Sequence, residues 1–179
     1  MTVTYRAGNK SDLDFIVWVE TIDEGVSTPS HLMSSSQHEI HRAYISSFID
    51  SDDKGSFVCC EADEPIGLIL WRYRNRLTEE LPVWSVFNRI DADRFPSDGA
   101  FCEIYQLWVD PKFRRQGIGS RLKIIAEEHA MEGGIRMMYT HTEVANGHVI
   151  TLNEKLGYRE VRRGPIWDEI ERVSLVKYL

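Results

Sequence analysis

Val109-Asp110-Pro111-Lys112-Phe113-Arg114-Arg115-Gln116-Gly117-Ile118-Gly119-Ser120 is the stretch that decides the fold. Just upstream, Phe101 to Val109 (FCEIYQLWV) is long and rich in apolar and β-branched residues, as a buried strand is. Asp110-Pro111 stops it, because proline has a fixed φ and no N–H for a ladder. After Gly117-Ile118-Gly119 the apolar period becomes that of a helix, with Leu122, Ile125, Ala126 and His129 on one side as far as about Glu132. A strand that runs through a glycine loop straight into a helix makes an anion nest. Glycine lets the backbone approach a ligand closely, and the first N–H groups of a helix have no acceptor within it. Arg114 and Arg115 add positive charge, so the ligand that suits this nest is a pyrophosphate. No Lys-Ser or Lys-Thr follows the second glycine, so it is not a Walker loop. The third glycine of the dinucleotide fingerprint is also missing.

The flanking chain reads as alternating strands and helices. Val3 to Arg6 is a short strand, and Ser11 with Asp14 forms a capping box for a helix carrying Leu13, Ile16, Val17 and Ile22 on one stripe. Gly25 to Ser36 is a loop. Gln37 to Ile49 is a second helix with Ile40, Tyr44, Ile45 and Phe48 inward. Ser56 to Glu61 and Ile66 to Tyr73 form an antiparallel hairpin joined at Asp63-Glu64-Pro65. Residues 77–99 are a long connection, with a short helix expected from Thr78 to Ile90. Beyond Gly133-Gly134 come a strand from Ile135 to Thr142, a helix from Asn146 to Leu156 stopped by Gly157, and strands from Tyr158 to Arg163 and Ile170 to Tyr178. The order β-α-α-β-β-β-α-β-α-β-β describes one α/β domain over residues 1–179, a mixed central sheet of about seven strands with about four helices on its faces.

Composition excludes several classes of function. The 179 residues are 42% apolar and 27% charged, and the net charge of −7 argues against a basic nucleic-acid module. No apolar run reaches the roughly 18 residues of a membrane span, and the N-terminus is too polar for a secretory signal. Cys59, Cys60 and Cys102 are an odd count without framework spacing, as in reduced thiols of a cytoplasmic protein. The charge is uneven: residues 1–100 hold 9 basic and 17 acidic side chains, whereas residues 101–179 hold 12 and 11.

Arg114, Gly117 and Gly119, in the pattern R/Q-x-x-G-x-G/A between a strand and a helix, resemble the signature of the GNAT superfamily of acetyl-CoA-dependent N-acetyltransferases. A second stretch, Asn146 followed by Leu152-Asn153-Glu154-Lys155-Leu156-Gly157-Tyr158, is similar to that family's N-x6-Y-E-K-x-G-F/Y. The resemblance implies acetyl transfer from acetyl-CoA to a primary amine of a small molecule or peptide, by direct attack in a ternary complex and without a metal. It implies a pantetheine arm along the backbone of Leu107, Trp108 and Val109, and a pyrophosphate on Arg115, Gln116, Gly117, Ile118, Gly119 and Ser120. Asn146 falls where the family often places an asparagine that touches the CoA arm. A backbone N–H near Leu107 or Val109 would polarise the thioester carbonyl.

Glu103 matches the position of the general base in some relatives. It lies an even number of residues before Val109, nominally on the same face, although an acid at the start of a strand also reads as a solvated side chain. Asn153 is a departure. It stands where many relatives carry the tyrosine that protonates the leaving thiolate, and an amide cannot donate a proton at neutral pH. Tyr139 and His141 are weaker candidates for that acid, and Tyr158 reads as a core aromatic. A catalytically weak CoA-binding module with a regulatory role is the alternative reading.

The remaining features are less specific. His38 and His41 are spaced i,i+3 on a helix, but no third metal ligand accompanies them. Arg72, Arg74 and Arg76 alternate along a strand, as solvating side chains or as a grip on an anionic group. Trp84, Phe87 and the acids Glu79, Glu80, Asp91, Asp93 and Asp98 fall in the long connection, and Asp23 and Glu24 end the first helix. The acidic first hundred residues favour a cationic amine as acceptor. Homodimers are common among relatives of this kind.

Overall fold

Alternating apolar strands and capped helices form in the order the sequence predicts, in a computed structural model that describes residues 2–22 and 34–179. The strands are β1 (Val3–Ala7), β2 (Lys54–Glu61), β3 (Glu64–Asn75), β4 (Ala100–Val109), β5 (Met137–Glu143), β6 (Arg159–Gly164) and β7 (Arg172–Tyr178). The helices are α1 (Leu13–Ile22), α2 (Ser35–Asp50), α3 (Ile118–Glu132) and α4 (Gly147–Lys155). The seven strands form one mixed sheet in the order β1-β2-β3-β4-β5-β7-β6. The chain divides into two compact units, Met1–Arg72 with Gln106–Lys123 and Tyr73–Tyr105 with Ile124–Leu179.

In the first unit β1, β2 and the start of β3 run antiparallel, with Tyr5 opposite Cys59 and Phe57 opposite Ile69. The β2–β3 hairpin turns at Ala62-Asp63, with φ of 47° and 70°, and not at Asp63-Glu64-Pro65. Two successive positive φ values match the right-handed twist of the flanking strands. Pro65 is instead a strand residue opposite Cys60, at a bulge between Cys59 and Cys60 where a missing N–H is tolerated. Both of these thiols are buried, and all three cysteines are free.

The entry to α1 lies two residues earlier than Ser11 and Asp14 suggest. Asn9 Oδ1 accepts the Ser11 N–H (2.9 Å), and Asp12 Oδ2 accepts the Asn9 N–H (2.9 Å), around a 3-10 turn at Lys10–Asp12. Asp12 wins this role because it also receives the Arg6 guanidinium as a fork, at 2.6 and 2.8 Å. In α1, Ile16, Val19 and Glu20 are buried while Ile22 is exposed. Ser34 and Gln37 form the reciprocal cap of α2, whose inward face is Ile45 and Phe48 with half-buried Tyr44. Ile40, expected inward, is exposed. Of the loop expected at Gly25 to Ser36, residues 25–33 lie outside the described residues, as do Asp23 and Glu24, and Ser35 and Ser36 begin α2.

The second unit is built around aromatic residues. β5 runs parallel to β4, with Glu103 opposite Tyr139, and β7 lies antiparallel to both β5 and β6. Val86, Phe87, Ile90 and Phe95 pack with Phe101, Met137, Tyr139, Ile166 and Val176 into one core. Residues 77–99 are thus a core-forming segment, although no α-helix forms from Thr78 to Ile90. Its regular pieces are two 3-10 turns, Val86–Asn88 and Ala92–Arg94. Phe87 sits 4.9 Å, ring centre to ring centre, from both Phe101 and Tyr139, and anchoring by single aromatic side chains replaces an apolar helical stripe. Trp84 takes no part and is exposed. Gly134 and Gly157, at φ of 81° and 90°, end α3 and α4 in the left-handed conformation glycine permits. Among the described residues no helix is long and apolar enough to cross a membrane.

The Asp12 cap sets a pH dependence of stability. Burial opposes its charge, but the hydrogen bonds from Arg6 and from the Asn9 N–H outweigh burial and hold the carboxyl below the ordinary carboxylate range. A depressed carboxylate contributes its full stabilisation above the unfolded-state value and loses it as pH falls through the folded one. Asp12→Ala is expected to cost about 2 kcal/mol at neutral pH. In urea titrations at decreasing pH, the difference from the parent protein should shrink as Asp12 takes up its proton.

Candidate functional site

The glycine loop is held at both ends by two consecutive residues of β3. On leaving β4, the Asp110 N–H donates to the Ile66 carbonyl (2.9 Å), and Asp110 Oδ1 accepts the Lys112 N–H (2.8 Å), which starts the 3-10 turn Pro111–Phe113. Arg114 Nε donates to the Val109 carbonyl (2.9 Å), folding the loop back on the strand. At the other end α3 rests on Gly67: a Cβ there would lie 3.1 Å from Ile118 Cγ2 and 3.3 Å from Leu122 Cδ1. Arg115 (φ 65°) and Gly117 (φ 83°) both turn through the left-handed region. The Arg121 N–H closes on the Gly117 carbonyl (3.0 Å), so the N–H groups of Ile118, Gly119 and Ser120 precede the first helical acceptor. Nothing lies within 4 Å of where a Gly117 Cβ would stand, and Arg114, Arg115 and Gln116 are exposed beside it. This is a cradle of backbone donors with open space and two guanidinium groups, which suits a pyrophosphate.

Leu107, Trp108 and Val109 belong to the same unit and are half-buried. The Trp108 ring meets Trp18 edge-on at 5.4 Å and Phe15 at 5.8 Å, and Trp18 is half exposed. This aromatic cluster was not read from the sequence. Its signal was the i,i+3 spacing of Phe15 and Trp18, which by itself is also that of an ordinary buried face.

In the second unit Glu103 is buried, and it is not a solvated acid at a strand's start. Its Oε2 accepts from Arg74 Nη1 at 3.0 Å, and Arg74 Nε donates to Glu79 Oε2 at 2.7 Å. Arg74 is therefore neither solvated nor held ready for an anionic substrate. Its neighbours in the alternating trio are engaged as well: Arg72 donates to the Tyr44 hydroxyl (2.8 Å), and Arg76 lies 4.8 Å over the Phe95 ring. Alternation gave the spacing of the three arginines but could not show what stood opposite them.

Tyr139 is sealed in the core, its hydroxyl 3.0 Å from Ser174 Oγ. Burial pushes its phenol well above the usual value, Ser174 pulls it partly back, and nearby Glu103 raises it further, so the hydroxyl holds its proton firmly at neutral pH. His141 is half-buried and meets Trp167 edge-on at 5.3 Å. The other face contact of Trp167 is the Arg172 guanidinium, 4.1 Å from its centre. Tyr158 is buried, as a core aromatic should be.

Asn146 precedes α4 without capping it through its side chain, whose Nδ2 reaches only Thr142 Oγ1 at 3.5 Å. Asn153 is buried, and its Nδ2 donates to the Val149 carbonyl (2.9 Å) within α4. Among the described residues its Oδ1 makes no hydrogen bond. No group of three His, Cys, Asp or Glu among them could hold a metal, His38 and His41 included.

The acetyltransferase (GNAT) family model matches residues 23–158. Among solved structures, Arabidopsis thaliana NAA60 in complex with acetyl-CoA is similar over 99% of this chain and 99% of that chain, with a TM-score of 0.77 and 17% identity. The ribosomal-protein-S18-alanine N-acetyltransferase from Escherichia coli is similar over 99% of this chain and 94% of that chain, with a TM-score of 0.65 and 13% identity. AAC(6')-Iy in complex with the bisubstrate analog CoA-S-monomethyl-acetylneamine is similar over 94% and 98%, with a TM-score of 0.66 and 17% identity. At such identities the likeness is one of fold. No curated protein matches the sequence.

The contact at Gly67 gives a direct test of how the loop is held. Gly67→Val should force α3 off β3 and cost about 1–3 kcal/mol in denaturant unfolding, whereas Gly117→Ala, with space around it, should cost only about 1 kcal/mol from its φ.

Proposed function

Because the chain belongs to the GNAT acetyltransferase family, we propose that it transfers the acetyl group of acetyl-CoA to a primary amine by direct attack in a ternary complex. The observation that carries this reading is the cradle at Gly117, with its positive φ, open space and the donors of the first turn of α3. Bound acetyl-CoA supplies a thioester carbonyl activated toward amines. The backbone N–H groups from Arg115 to Ser120 hold the pyrophosphate, with Arg115 and Gln116 beside it and Arg114 bracing the loop through Val109. The edge of β4 at Leu107, Trp108 and Val109 takes the pantetheine arm, and an N–H of Leu107 or Val109 polarises the carbonyl oxygen. Asn146, whose amide is not spent on a cap, is available to the same arm.

Glu103 accepts the proton of the attacking ammonium, directly or through a water, since an amine without a lone pair cannot attack. Its burial and its fixed partner Arg74 support this role, because both hold the carboxylate in one orientation. Asn153 supplies no proton. Its donor is used inside α4, so the departing sulfur takes the proton of the attacking amine or one from solvent.

The acceptor is a peptide or small-molecule amine, and a cationic one is favoured by the acidic first hundred residues and by the aromatic faces of Trp18 and Trp108. Arg6 on Asp12, Arg42 on Asp14 and Arg74 on Glu79 pair cations and anions that both belong to that half, so the acidic surplus itself is unchanged by them. The buried free thiols support a cytoplasmic location. A CoA-binding module with little turnover is the second reading, favoured by the missing acid at Asn153.

Calorimetric titration with CoA, together with thiol release from acetyl-CoA across a panel of polyamines, aminoglycosides and short peptides, separates the two readings. Binding with turnover supports the enzyme, and binding without turnover supports the module. Gly117→Glu should abolish CoA binding by placing a carboxylate in the cradle, and unchanged binding would remove the loop from the site. Glu103→Gln should lower turnover by about 100-fold or more with CoA affinity retained. An unaltered rate would take Glu103 out of the mechanism.

A further inference from the structure

Arg74 lies in a socket built from three pieces of chain in the second unit. Its Nε donates to Glu79 Oε2 (2.7 Å), its Nη1 donates to Glu103 Oε2 (3.0 Å), and its guanidinium carbon lies 5.1 Å over the Phe87 ring. Each wall of the socket is itself fixed. Glu79 Oε1 accepts the Asn75 N–H (2.7 Å), and the Glu79 N–H returns to the Asn75 carbonyl (3.1 Å), closing the turn that follows β3. Phe87 is locked by Phe95, Phe101 and Tyr139. A guanidinium held this way cannot follow a moving carboxylate, so it dictates where that carboxylate stands.

The charges are unequal, with one cation between two anions. Among the groups that face Glu103 are Arg74 from β3, with Glu79 behind it from the 77–99 segment, and the Tyr139 phenol from β5, itself acted on by Arg162 of β6. A carboxylate that is the sole partner of an arginine is a poor proton acceptor, because the pairing favours its charged form strongly. Here Arg74 is shared, with Nη1 on Glu103 and Nε on Glu79.

We propose that Arg74 and Glu79 are positioning residues for Glu103: Arg74 orients the carboxylate, and Glu79 holds Arg74 in place and shares its charge. This rests on the reading of Glu103 as the base. When Glu103 takes a proton from the attacking ammonium, the cluster of Arg74, Glu79 and Glu103 passes from a net charge of −1 to 0. The long connection before β4 thereby acquires a role in the chemistry, since it carries both Glu79 and Phe87.

The test is a carbon-13 NMR titration of the full chain labelled at the Glu carboxyl carbons, with the Glu103 resonance identified by its loss in Glu103→Gln. Arg74→Gln removes the cation and should raise the titration midpoint of Glu103 by about one pH unit or more. Glu79→Gln removes the second anion that shares Arg74, and should lower that midpoint. Arg74→Lys should restore part of the shift. Thiol release from acetyl-CoA, with a panel of tetrapeptides bearing free N-termini as acceptors, should show the acid limb of kcat/KM moving in the same directions while KM for acetyl-CoA holds. A purely structural cluster would lower the melting temperature and leave the acid limb of kcat/KM where it was, and that result overturns the proposal. Glu79→Gln keeps the test decisive if Arg74→Gln does not fold, because the Glu79 side chain is about one-third exposed. The two readings fail separately: an unchanged rate in Glu103→Gln removes the base, whereas a slowed Glu103→Gln with an unmoved acid limb in the Arg74 and Glu79 variants removes their control of it.

Discussion

The approach of α3 to β3 at Gly67 is the constraint from which the geometry of the first unit follows. Without a Cβ at this position Ile118 and Leu122 can lie against the strand, and the first turn of α3 is set down at a fixed height above it. One residue earlier, the Ile66 carbonyl holds the Asp110 N–H. The loop between Asp110 and Ile118 is therefore pinned at entry and exit by adjacent residues of one strand. Such pinning is what allows Arg115, which has a Cβ, to sit at φ 65°, a conformation costing about 1 kcal/mol for an L residue. The strain is local, and the packing on either side over-determines it.

The second unit solves a different problem. Its β4 strand carries a carboxylate into an apolar core, and burial of an isolated charge would cost several kcal/mol. The structure meets this with a guanidinium, and meets the guanidinium in turn with a second carboxylate and an aromatic face. The same arrangement recurs at Arg172, which is buried against the Trp167 ring and paired with Asp168. Sharing cations in this way pairs off charges of both signs and leaves the net count as it was. The acidic surplus in the first hundred residues is a property of composition, and several of its members face a partner inside the fold. A count of charges along the chain is for that reason a weak guide to what a surface attracts.

Some of this was legible in the sequence for identifiable reasons. The glycine loop was readable because its parts are contiguous: a strand, a proline stop, two arginines and a helix start all fall within a dozen residues. The hairpin and the ends of α3 and α4 were readable because period and glycine position are local signals. The cap of α1 is ambiguous in the sequence because Asn9 and Ser11 are both good caps, and the choice belongs to Arg6, which selects Asp12 from across a turn. Residues 77–99 look like a connection with a helix because their aromatic residues have no period. Phe87 and Phe95 find their places in a core assembled from β4, β5 and β7, and no window of sequence contains those partners.

The sequence by itself determined the order of elements, the α/β class, the glycine loop at the start of α3 and the family, because each of these is written in residues close together along the chain. Only the tertiary structure decided which charges are spent and which are left. That Glu103 is buried and paired, that Arg74 is shared with Glu79, and that the Asn153 amide is turned back on its own helix are facts about side chains meeting across long separations. Propensity and spacing fix the path of the backbone. The electrostatic state of a side chain depends on what the fold brings within about 4 Å of it, where a change of one partner outweighs everything its sequence neighbours contribute.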